Sequence, residues 1–309
     1  MFTKAMIVMD IWTTGFPLSK CARGLKKLGT SDLCLLECIE EMNFPGINLD
    51  IIRSSAQSEL EKQKSFLIKY GMKVEAKALV GKTCRSINRV AVEEDRSLIV
   101  LGSYMHTRTY EILMGNTASE AICNQIMPIL LIHMFHGRKQ PDYINEESYE
   151  FLEHVLFPTD FSTNADYALK YLEKILDMGP GRITLMHVQN RTLISPHLSH
   201  KLEEFNRIDY ERLSKIKEQL VSRTSHSTPI EIIISYGHPV KEITETINSK
   251  NVSLIVMGSQ GRGFMQETFI GSISQNVARS SRAPILLIPM PERDRNRLQF
   301  QESMQKTTQ

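Results

Sequence analysis

Residues 254–288 read LIVMGSQGRGFMQETFIGSISQNVARSSRAPILLI, two short apolar runs that enclose a segment rich in glycine and serine. Residues 98–132 read LIVLGSYMHTRTYEILMGNTASEAICNQIMPILLI, with similar runs at the same spacing. Two glycines and one proline recur without a gap, 156 positions apart: Gly102 and Gly258, Gly115 and Gly271, Pro128 and Pro284. Self-similarity at a fixed offset indicates an internal duplication.

The duplication extends upstream at a slightly different offset. Asp10, which follows the run AMIVM, stands 150 positions before Asp160, which follows HVLFPT. The run LCLLEC (33–38) matches ITLMHV (183–188) at the same offset. Because the downstream pairs are 156 positions apart, the second copy has six extra residues in the connection that follows ITLMHV.

This repeat predicts the domain organisation. We expect one domain at residues 1–137 and a second at residues 151–290, joined by the polar stretch HGRKQPDYINEESYE. Residues 291–309 are mostly polar, and we expect them to form a tail.

The composition gives no indication of a nucleic-acid or membrane partner. The 309 residues include 37 Lys and Arg and 35 Asp and Glu, so no charge bias points to nucleic acid or to an anionic membrane. No apolar stretch approaches the length of a membrane span, and MFTKAMIVMD lacks the apolar core of a signal peptide. The five cysteines form no C-x-x-C pair, which favours reduced thiols and a cytoplasmic location.

Within the second copy, runs rich in Val, Ile and Leu alternate with segments of helical spacing. Residues 165–176 place apolar side chains on one helix face, and residues 239–249 open with a proline, as helices often do. Strands that alternate with helices indicate parallel sheets covered on both faces. We therefore predict an α/β fold with two tandem doubly wound sheets, each of five parallel strands in the Rossmann-like order 3-2-1-4-5.

In this strand order the ligand crevice lies between the carboxyl ends of strands one and four. In the second copy these ends are Pro158-Thr159-Asp160 and Met257-Gly258. Each has a structural alternative, since an aspartate at a strand end can cap a helix and a glycine can simply turn the chain.

The residues after these strand ends suit an anionic ligand. Gly258 and Gly261 allow close backbone approach, and Gly271 leads into a helix whose N-terminus attracts phosphate. We expect Ser272 to cap that helix and Ser274 to face the anion. Arg262 is a further candidate for a phosphate, although an arginine in a loop is commonly just solvated.

The spacing Gly258, two residues, Gly261, nine residues, Gly271-Ser272 resembles the motif G-x2-G-x9-G-(S/T) of the universal stress protein family. Pro-Thr-Asp at the end of strand one, the duplication and the closing Pro-Ile-Leu-Leu-Ile strengthen the resemblance, which covers nearly the whole chain twice. It implies a tandem two-domain member of a superfamily of adenine nucleotide alpha hydrolase-like folds.

The resemblance also implies a function and a set of contacts. We expect a stress-response regulator that binds ATP or AMP, with Mg²⁺ accompanying ATP. Asp160 would hold the ribose, and Pro158, Thr159 and Val188 would lie near the adenine. The following residues would surround ribose and phosphates: Met257, Gly258, Gly261, Gly271, Ser272, Ile273 and Ser274. In this family the domains associate through their fifth strands, which implies an internal pseudo-dimer and leaves a homodimer open.

The first copy departs from the motif. It keeps Asp10 and Gly102, but Met105 replaces the second loop glycine and Asn116 follows Gly115. A bulky side chain at Met105 opposes close backbone approach. We therefore predict that the first copy keeps the architecture and has lost most of its nucleotide binding.

Two other classes of function stay open. One is a scaffolding or dimerisation protein with the same fold and no ligand. The other is a slow ATP-hydrolysing or nucleotidyl-transfer enzyme. The sequence contains no G-x-x-x-x-G-K-[S/T], no G-x-S-x-G and no His-x-x-His near the first strand. We therefore expect no catalytic residues, no metal site and at most slow ATPase activity.

Overall fold

The computed structural model describes residues 1–11, 18–105, 112–113, 126–135, 150–194, 197–224, 227–261 and 270–291. The strands of the first copy are β1 (Lys4–Met9), β2 (Asp32–Ile39), β3 (Lys73–Val80), β4 (Leu98–Met105), β5 (Ile112–Leu113) and β6 (Ile129–Phe135). Its described helices are α1 (Leu18–Lys27), α2 (Leu49–Ile68) and α3 (Thr83–Glu93).

The second copy repeats this order. Its strands are β7 (Val155–Pro158), β8 (Ile183–Asn190), β9 (Ile230–Gly237), β10 (Leu254–Gly258) and β11 (Ile285–Ile288). Its described helices are α4 (Thr163–Leu176), α5 (Arg191–Ile194), α6 (Leu202–Arg223), α7 (Pro239–Ser249) and α8 (Ser272–Ser280).

The eleven described strands form one sheet, in the order β3-β2-β1-β4-β6-β11-β10-β7-β8-β9, with β5 beside β4. Each copy contributes strands in the predicted order 3-2-1-4-5, and all pairs within that order are parallel. The predicted α/β class and strand order are therefore confirmed. The two five-stranded sets are not separate sheets, because β6 and β11 pair antiparallel, with Leu130 opposite Leu286.

The strand registers show the duplication in three dimensions. Ala5 on β1 lies opposite Leu33 on β2 and Leu98 on β4. Val155 on β7 lies opposite Ile183 on β8 and Leu254 on β10. These partners are related by the offsets of 150 and 156 in the sequence, so equivalent positions in the two copies can be compared directly.

Helices cover both faces of the sheet. Buried side chains of α1, α2, α4 and α6 form one cluster with the sheet, and those of α3, α7 and α8 form another. The first cluster runs through both copies, and the Phe2 and Tyr171 rings stack across the boundary with centres 6.0 Å apart. Strands buried on both faces explain why the apolar runs show no polar alternation.

Local sequence explains where the helices begin. The Ser162 hydroxyl accepts a hydrogen bond from Ala165 N–H, so α4 begins at Thr163, two residues before the predicted start. Pro239 opens α7 as predicted. None of the helices within the described residues is both long and apolar enough to cross a bilayer.

Candidate functional site

The predicted crevice lies where β7 and β10 end. The two strands are parallel neighbours, with Leu254 opposite Val155. Their carboxyl ends therefore bring the segment after Pro158 beside the segment after Gly258. In a doubly wound sheet, this is the point at which the strand order reverses and ligands bind.

Asp160 and Gly261 approach each other across this crevice. A Cβ atom built on Gly261 would lie 2.9 Å from Asp160 Oδ2. The other carboxylate oxygen, Oδ1, accepts a hydrogen bond of 3.0 Å from Ser162 N–H, and Asp160 stays partly exposed. The carboxylate thus faces a stretch of backbone that has no side chain.

Gly258 packs against Asn164, a residue that the sequence patterns do not single out. A Cβ on Gly258 would lie 2.5 Å from Asn164 Oδ1 and 3.2 Å from the Asn164 carbonyl carbon. Asn164 Oδ1 accepts a hydrogen bond from Gln260 N–H at 2.8 Å, and Nδ2 donates to Ile288 O at 3.2 Å. Asn164 is 1% exposed, so one buried amide joins α4, the loop after β10 and the end of β11.

Helix α8 begins one residue earlier than the predicted cap implies. Gly271 is the N-cap residue, and Ser272 is the first residue of the helix. Gln275 N–H makes the first helical hydrogen bond, to Gly271 O at 2.9 Å. The N–H groups of residues 272–274 therefore precede the helical ladder, which leaves them available to an anion.

The Ser274 side chain has a structural contact. It is buried, and its hydroxyl donates a hydrogen bond of 2.9 Å to Gly258 O. Ser272 and Ile273 are exposed on the first turn of α8. Any contribution of Ser274 to an anion site therefore comes from its backbone N–H.

The residues expected beside adenine lie on adjacent strand ends. Pro158 ends β7, and Thr159 follows it, buried. Val188 on β8 is partly buried, and Met257 on β10 is buried. The Thr159 hydroxyl accepts a hydrogen bond of 3.0 Å from Phe161 N–H, so this side chain also stabilises the turn after β7.

A polar cluster contacts the same turn from the side of α6. His187 Nδ1 donates to Thr159 O at 2.7 Å, since a carbonyl oxygen only accepts. His187 Nε2 lies 3.6 Å from Asp209 Oδ2, which also accepts a hydrogen bond of 2.9 Å from Gln189. Sequence reasoning misses Asp209, because α6 lies outside every motif.

The start of α4 is electrostatically negative. Burial, and then the nearby Asp160 carboxylate, raise the pKa of Asp166 above its ordinary value. A like-charge effect of this kind places the anionic part of any ligand away from α4. The opposite side of the crevice offers the N-terminus of α8, where the helix dipole is positive.

Ser259 directly follows β10. It is 1% exposed, and its hydroxyl oxygen has no hydrogen-bond partner within the described part of the chain. Its backbone carbonyl accepts a hydrogen bond of 2.7 Å from Gly271 N–H, so Ser259 adjoins the start of α8. A buried polar atom without a partner is costly, and such atoms occur at ligand sites.

Comparison with known proteins identifies this arrangement. A model of the universal stress protein family matches residues 152–289, which hold the whole crevice of the second copy. This part of the chain is therefore a universal stress protein domain. Universal stress protein MJ0577 of Methanocaldococcus jannaschii is 27% identical over 150 residues, covering 43% of this chain and 93% of that protein.

Solved structures extend the likeness in fold. A universal stress protein from Archaeoglobus fulgidus matches 93% of this chain and 98% of its own, with a TM-score of 0.71 and 21% identity. A universal stress protein solved in complex with cAMP covers 45% of this chain, at 20% identity and a TM-score of 0.35.

The first crevice of this protein differs from the second. Strand β4 continues to Met105, the position equivalent to Gly261, and pairs there with Ile112 of β5 and Phe135 of β6. By contrast, β10 ends at Gly258. The backbone that forms an open loop in the second copy therefore forms sheet in the first.

Glu37 occupies the position of His187 in the first copy. It is 3% exposed, and its Oε2 accepts a hydrogen bond of 3.2 Å from Ile11 N–H. Burial, and to a smaller extent the Asp10 charge, raise the pKa of Glu37 to about 8. The first crevice thus holds a buried carboxyl group where the second holds an imidazole.

Some predicted features lie outside the described residues: Arg262, Gly115 and Asn116. Within the described ranges, no three His, Cys, Asp or Glu side chains come together as a metal site.

Proposed function

We propose that this universal stress protein binds an adenine nucleotide, ATP or AMP, in the crevice between β7 and β10, and that it acts as a nucleotide-dependent regulator in a stress response. The proposal assigns one site to each chain, in the second copy. Mg²⁺ would accompany ATP through the phosphates, as it commonly does.

The observation that carries the proposal is the approach of Asp160 to Gly261. The Asp160 carboxylate accepts hydrogen bonds, as ribose hydroxyls require, and a side chain at position 261 would fill the space in front of it. Gly261 is also where the first copy has Met105. The first copy has strand at this position, whereas the second copy has a glycine outside the strand that leaves the space in front of Asp160 open, and this difference supports a ligand in the second copy.

The phosphates would bind at the N-terminus of α8. The N–H groups of residues 272–274 begin α8 without helical partners, and the positive end of the helix dipole lies with them. The adenine would lie against Pro158, Thr159 and Val188, as the family resemblance implies. Backbone N–H groups hold phosphates without cleaving them, which suits a regulator better than a rapid enzyme.

Isothermal titration of the full chain with ATP, ADP and AMP, with and without Mg²⁺, tests this proposal. We expect one nucleotide per chain. Asp160→Ala should weaken binding at least about tenfold, because hydrogen bonds to a charged group are lost. Asp10→Ala, at the equivalent position of the first copy, is the matched control and should leave the affinity unchanged.

Three results would contradict the proposal. They are an absence of heat with every nucleotide, two equivalent sites per chain, or equal sensitivity to the Asp10 and Asp160 substitutions. Analysis of the nucleotide after incubation tests the enzymatic alternative. Turnover above about 1 per second, an ordinary enzyme rate, would favour that alternative.

A scaffolding function is the second candidate, and the antiparallel pairing of β6 with β11 favours it. We propose that this pairing makes the chain an internal pseudo-dimer of two domains, residues 1–137 and 151–290. Assembly of chains into homodimers and a cytoplasmic location belong to the same proposal. Light scattering that finds a stable oligomer, together with no nucleotide binding, would support scaffolding over the regulator.

A further inference from the structure

The residue after Asp160 has an unusual backbone conformation. Phe161 has a φ of 57°, in the left-handed region that residues with a Cβ rarely adopt. Within the described residues, only Asp95 and Asn251 share a positive φ among those with a Cβ. Asp and Asn are the side chains that tolerate this region best, whereas a phenylalanine is strained there and needs surrounding contacts to hold it.

Those contacts come from two sides of the Phe161 ring. The centre of the His187 ring lies 4.6 Å from the centre of the Phe161 ring. The guanidinium carbon of Arg212 on α6 lies 4.3 Å from the same ring centre, a cation–π distance. His187 is itself fixed by Thr159 O and by Asp209. His187, Phe161 and Arg212 thus form a stack. Asp209 also lies 3.8 Å from Arg212, so one carboxylate contacts both His187 and Arg212.

The conformation of Phe161 determines the direction of the Asp160 carboxylate. The turn closes through Phe161 N–H to Thr159 Oγ1 and Ser162 N–H to Asp160 Oδ1, both at 3.0 Å. With Oδ1 held in this way, Oδ2 is the oxygen that faces Gly261. A different φ at Phe161 would rotate Ser162 N–H away and release the carboxylate.

The first copy provides an internal comparison. Ile11 occupies the position of Phe161, and its φ is not positive. Its N–H donates to Glu37, the residue in place of His187, and the residue in place of Thr159 is Met9, which has no hydroxyl. The turn after Asp10 is therefore closed by a different hydrogen bond.

The helix that carries Arg212 differs in the same way. Leu213 and Leu220 are buried on α6 with the spacing of Leu60 and Leu67 on α2, which aligns the two helices. In this alignment Glu59 occupies the position of Arg212, and Ala56 occupies the position of Asp209. No member of the stack is present in the first copy.

We propose that Phe161, His187 and Arg212 are positioning residues that aim the Asp160 carboxylate at the ribose hydroxyls and so make the site selective for ribonucleotides. This inference rests on the proposed nucleotide site and adds the source of its sugar selectivity. The stack acts through Asp160, and its effect is specific to the hydroxyl groups that Asp160 binds.

Calorimetric titration of the full chain with ATP and with 2′-deoxyATP tests the inference. We expect the wild-type chain to prefer ATP by at least about tenfold. In Phe161→Ala and Arg212→Ala the ratio should fall toward one, mainly through weaker binding of ATP. Phe161→Tyr, which keeps the ring, should restore the preference. Arg207→Ala removes another exposed arginine of α6 and should keep the wild-type ratio.

The outcomes separate the two proposals. A wild-type chain that binds no nucleotide overturns the proposed function and this inference with it. A wild-type chain that binds both ligands equally, or variants that keep the wild-type ratio, overturn the inference alone. Equal weakening of both ligands, up to complete loss, also overturns it, because the stack would then only stabilise the crevice. If Phe161→Ala does not fold, Arg212→Ala decides, since its side chain is 46% exposed.

Discussion

Gly258 and Gly261 stand three positions apart and meet different neighbours. Gly258 faces both the side chain and the backbone of Asn164, whereas Gly261 faces only the end of the Asp160 side chain. A backbone neighbour cannot move aside, but a carboxylate can rotate. We therefore expect Gly258 to be required by the fold, and we propose that Gly261 is required by the ligand.

For Gly258→Ala we expect a loss of stability. The added methyl group would overlap Asn164 and force α4 away from β10, at a cost of about 1–3 kcal/mol in the free energy of unfolding. Urea denaturation measures this change. A variant as stable as the wild type would show that the contact with Asn164 relaxes freely.

For Gly261→Ala we expect a folded protein with a weakened site. The methyl group would displace Asp160 Oδ2, so ATP binding should fall about tenfold while the free energy of unfolding changes by less than about 0.5 kcal/mol. Calorimetry and urea denaturation of one preparation give both quantities. A large loss of stability without a loss of affinity would reverse the roles assigned to the two glycines.

Glu37 predicts a pH dependence of stability. Its pKa is about 8 in the folded chain against an ordinary value of 4.5, so the folded state binds one more proton than the unfolded state between these values. The stability that protonated Glu37 contributes is therefore present below about pH 4.5 and is lost as the pH rises through about 8.

Glu37→Gln should remove this dependence while keeping an acceptor for Ile11 N–H. The variant should gain stability relative to the wild type as the pH rises, by on the order of 5 kcal/mol at about 1.4 kcal/mol per pKa unit. Urea denaturation at a series of pH values measures the difference. A difference that is constant with pH would show that Glu37 titrates normally.

At the residue scale, sequence predicted the positions that carry a motif. Gly258, Gly261 and Asp160 could be assigned because their spacing and strand ends are visible in the sequence. Asn164 could not, since an asparagine near a helix start is ordinarily interpreted as a cap. The left-handed φ of Phe161 depends on contacts from α6, and these are long-range.

Among the elements, helix α4 and its N-cap residue make several contacts that stabilise the crevice. Its buried Asn164 contacts the loop after β10 and the end of β11, and Ser162 begins the helix beside Asp160. One side chain thus joins the amino end of α4 to the carboxyl ends of β10 and β11. Loss of that side chain should loosen all three.

Asn164→Ala tests this role. The substitution removes the Asn164 acceptor of Gln260 N–H and one of two hydrogen bonds to Ile288 O, which also accepts from Ser259 N–H, so we expect a loss of about 1–3 kcal/mol in the free energy of unfolding. Asn276→Ala is the matched control, because its hydrogen bond to Ser272 O is exposed and should be worth less than about 0.5 kcal/mol. Equal effects of the two substitutions would contradict the role of Asn164.

Element types were predictable from periodicity, but their ends were not. The predicted helix over 165–176 begins at Thr163, and α8 begins at Ser272 with Gly271 as its cap. Helix ends depend on which hydroxyl or amide reaches the first turn, a choice between neighbours that differ by one or two positions. The extension of β4 through Met105 was not predicted, because β5 provides its new partner.

On the scale of the whole molecule, the two copies share a sheet and a core. Leu130 on β6 lies opposite Leu286 on β11, and both are fully buried. The buried cluster that contains them extends from Phe2 to Ile288. Unfolding one copy would expose the core of the other, so we expect one cooperative transition.

Leu130→Ala should therefore destabilise the second copy as well as the first. The cavity should cost about 2–5 kcal/mol, and hydrogen exchange should accelerate in β10 and β11 as much as in β4. Hydrogen exchange followed by mass spectrometry resolves the two copies. Faster exchange confined to the first copy, or two separate unfolding transitions, would show independent domains.

The duplication was visible in the sequence because its anchors keep fixed offsets. The joining of the two sheets was implied only by the family resemblance, since edge strands β6 and β11 carry the same residues, Ile-Leu-Leu-Ile, whichever partner they meet. The domain bounds 1–137 and 151–290 stay predictions. Periodicity describes each element, whereas association of two sheets depends on complementary surfaces.

The pairing of β6 with β11 also makes the assembly insensitive to dilution. Two separate subunits dissociate when their concentration drops below the dissociation constant. Two halves of one polypeptide instead keep an effective concentration on the order of millimolar. If the second copy binds a nucleotide as proposed, the first copy can do without one and still cover the edge strand of the second at low protein concentration.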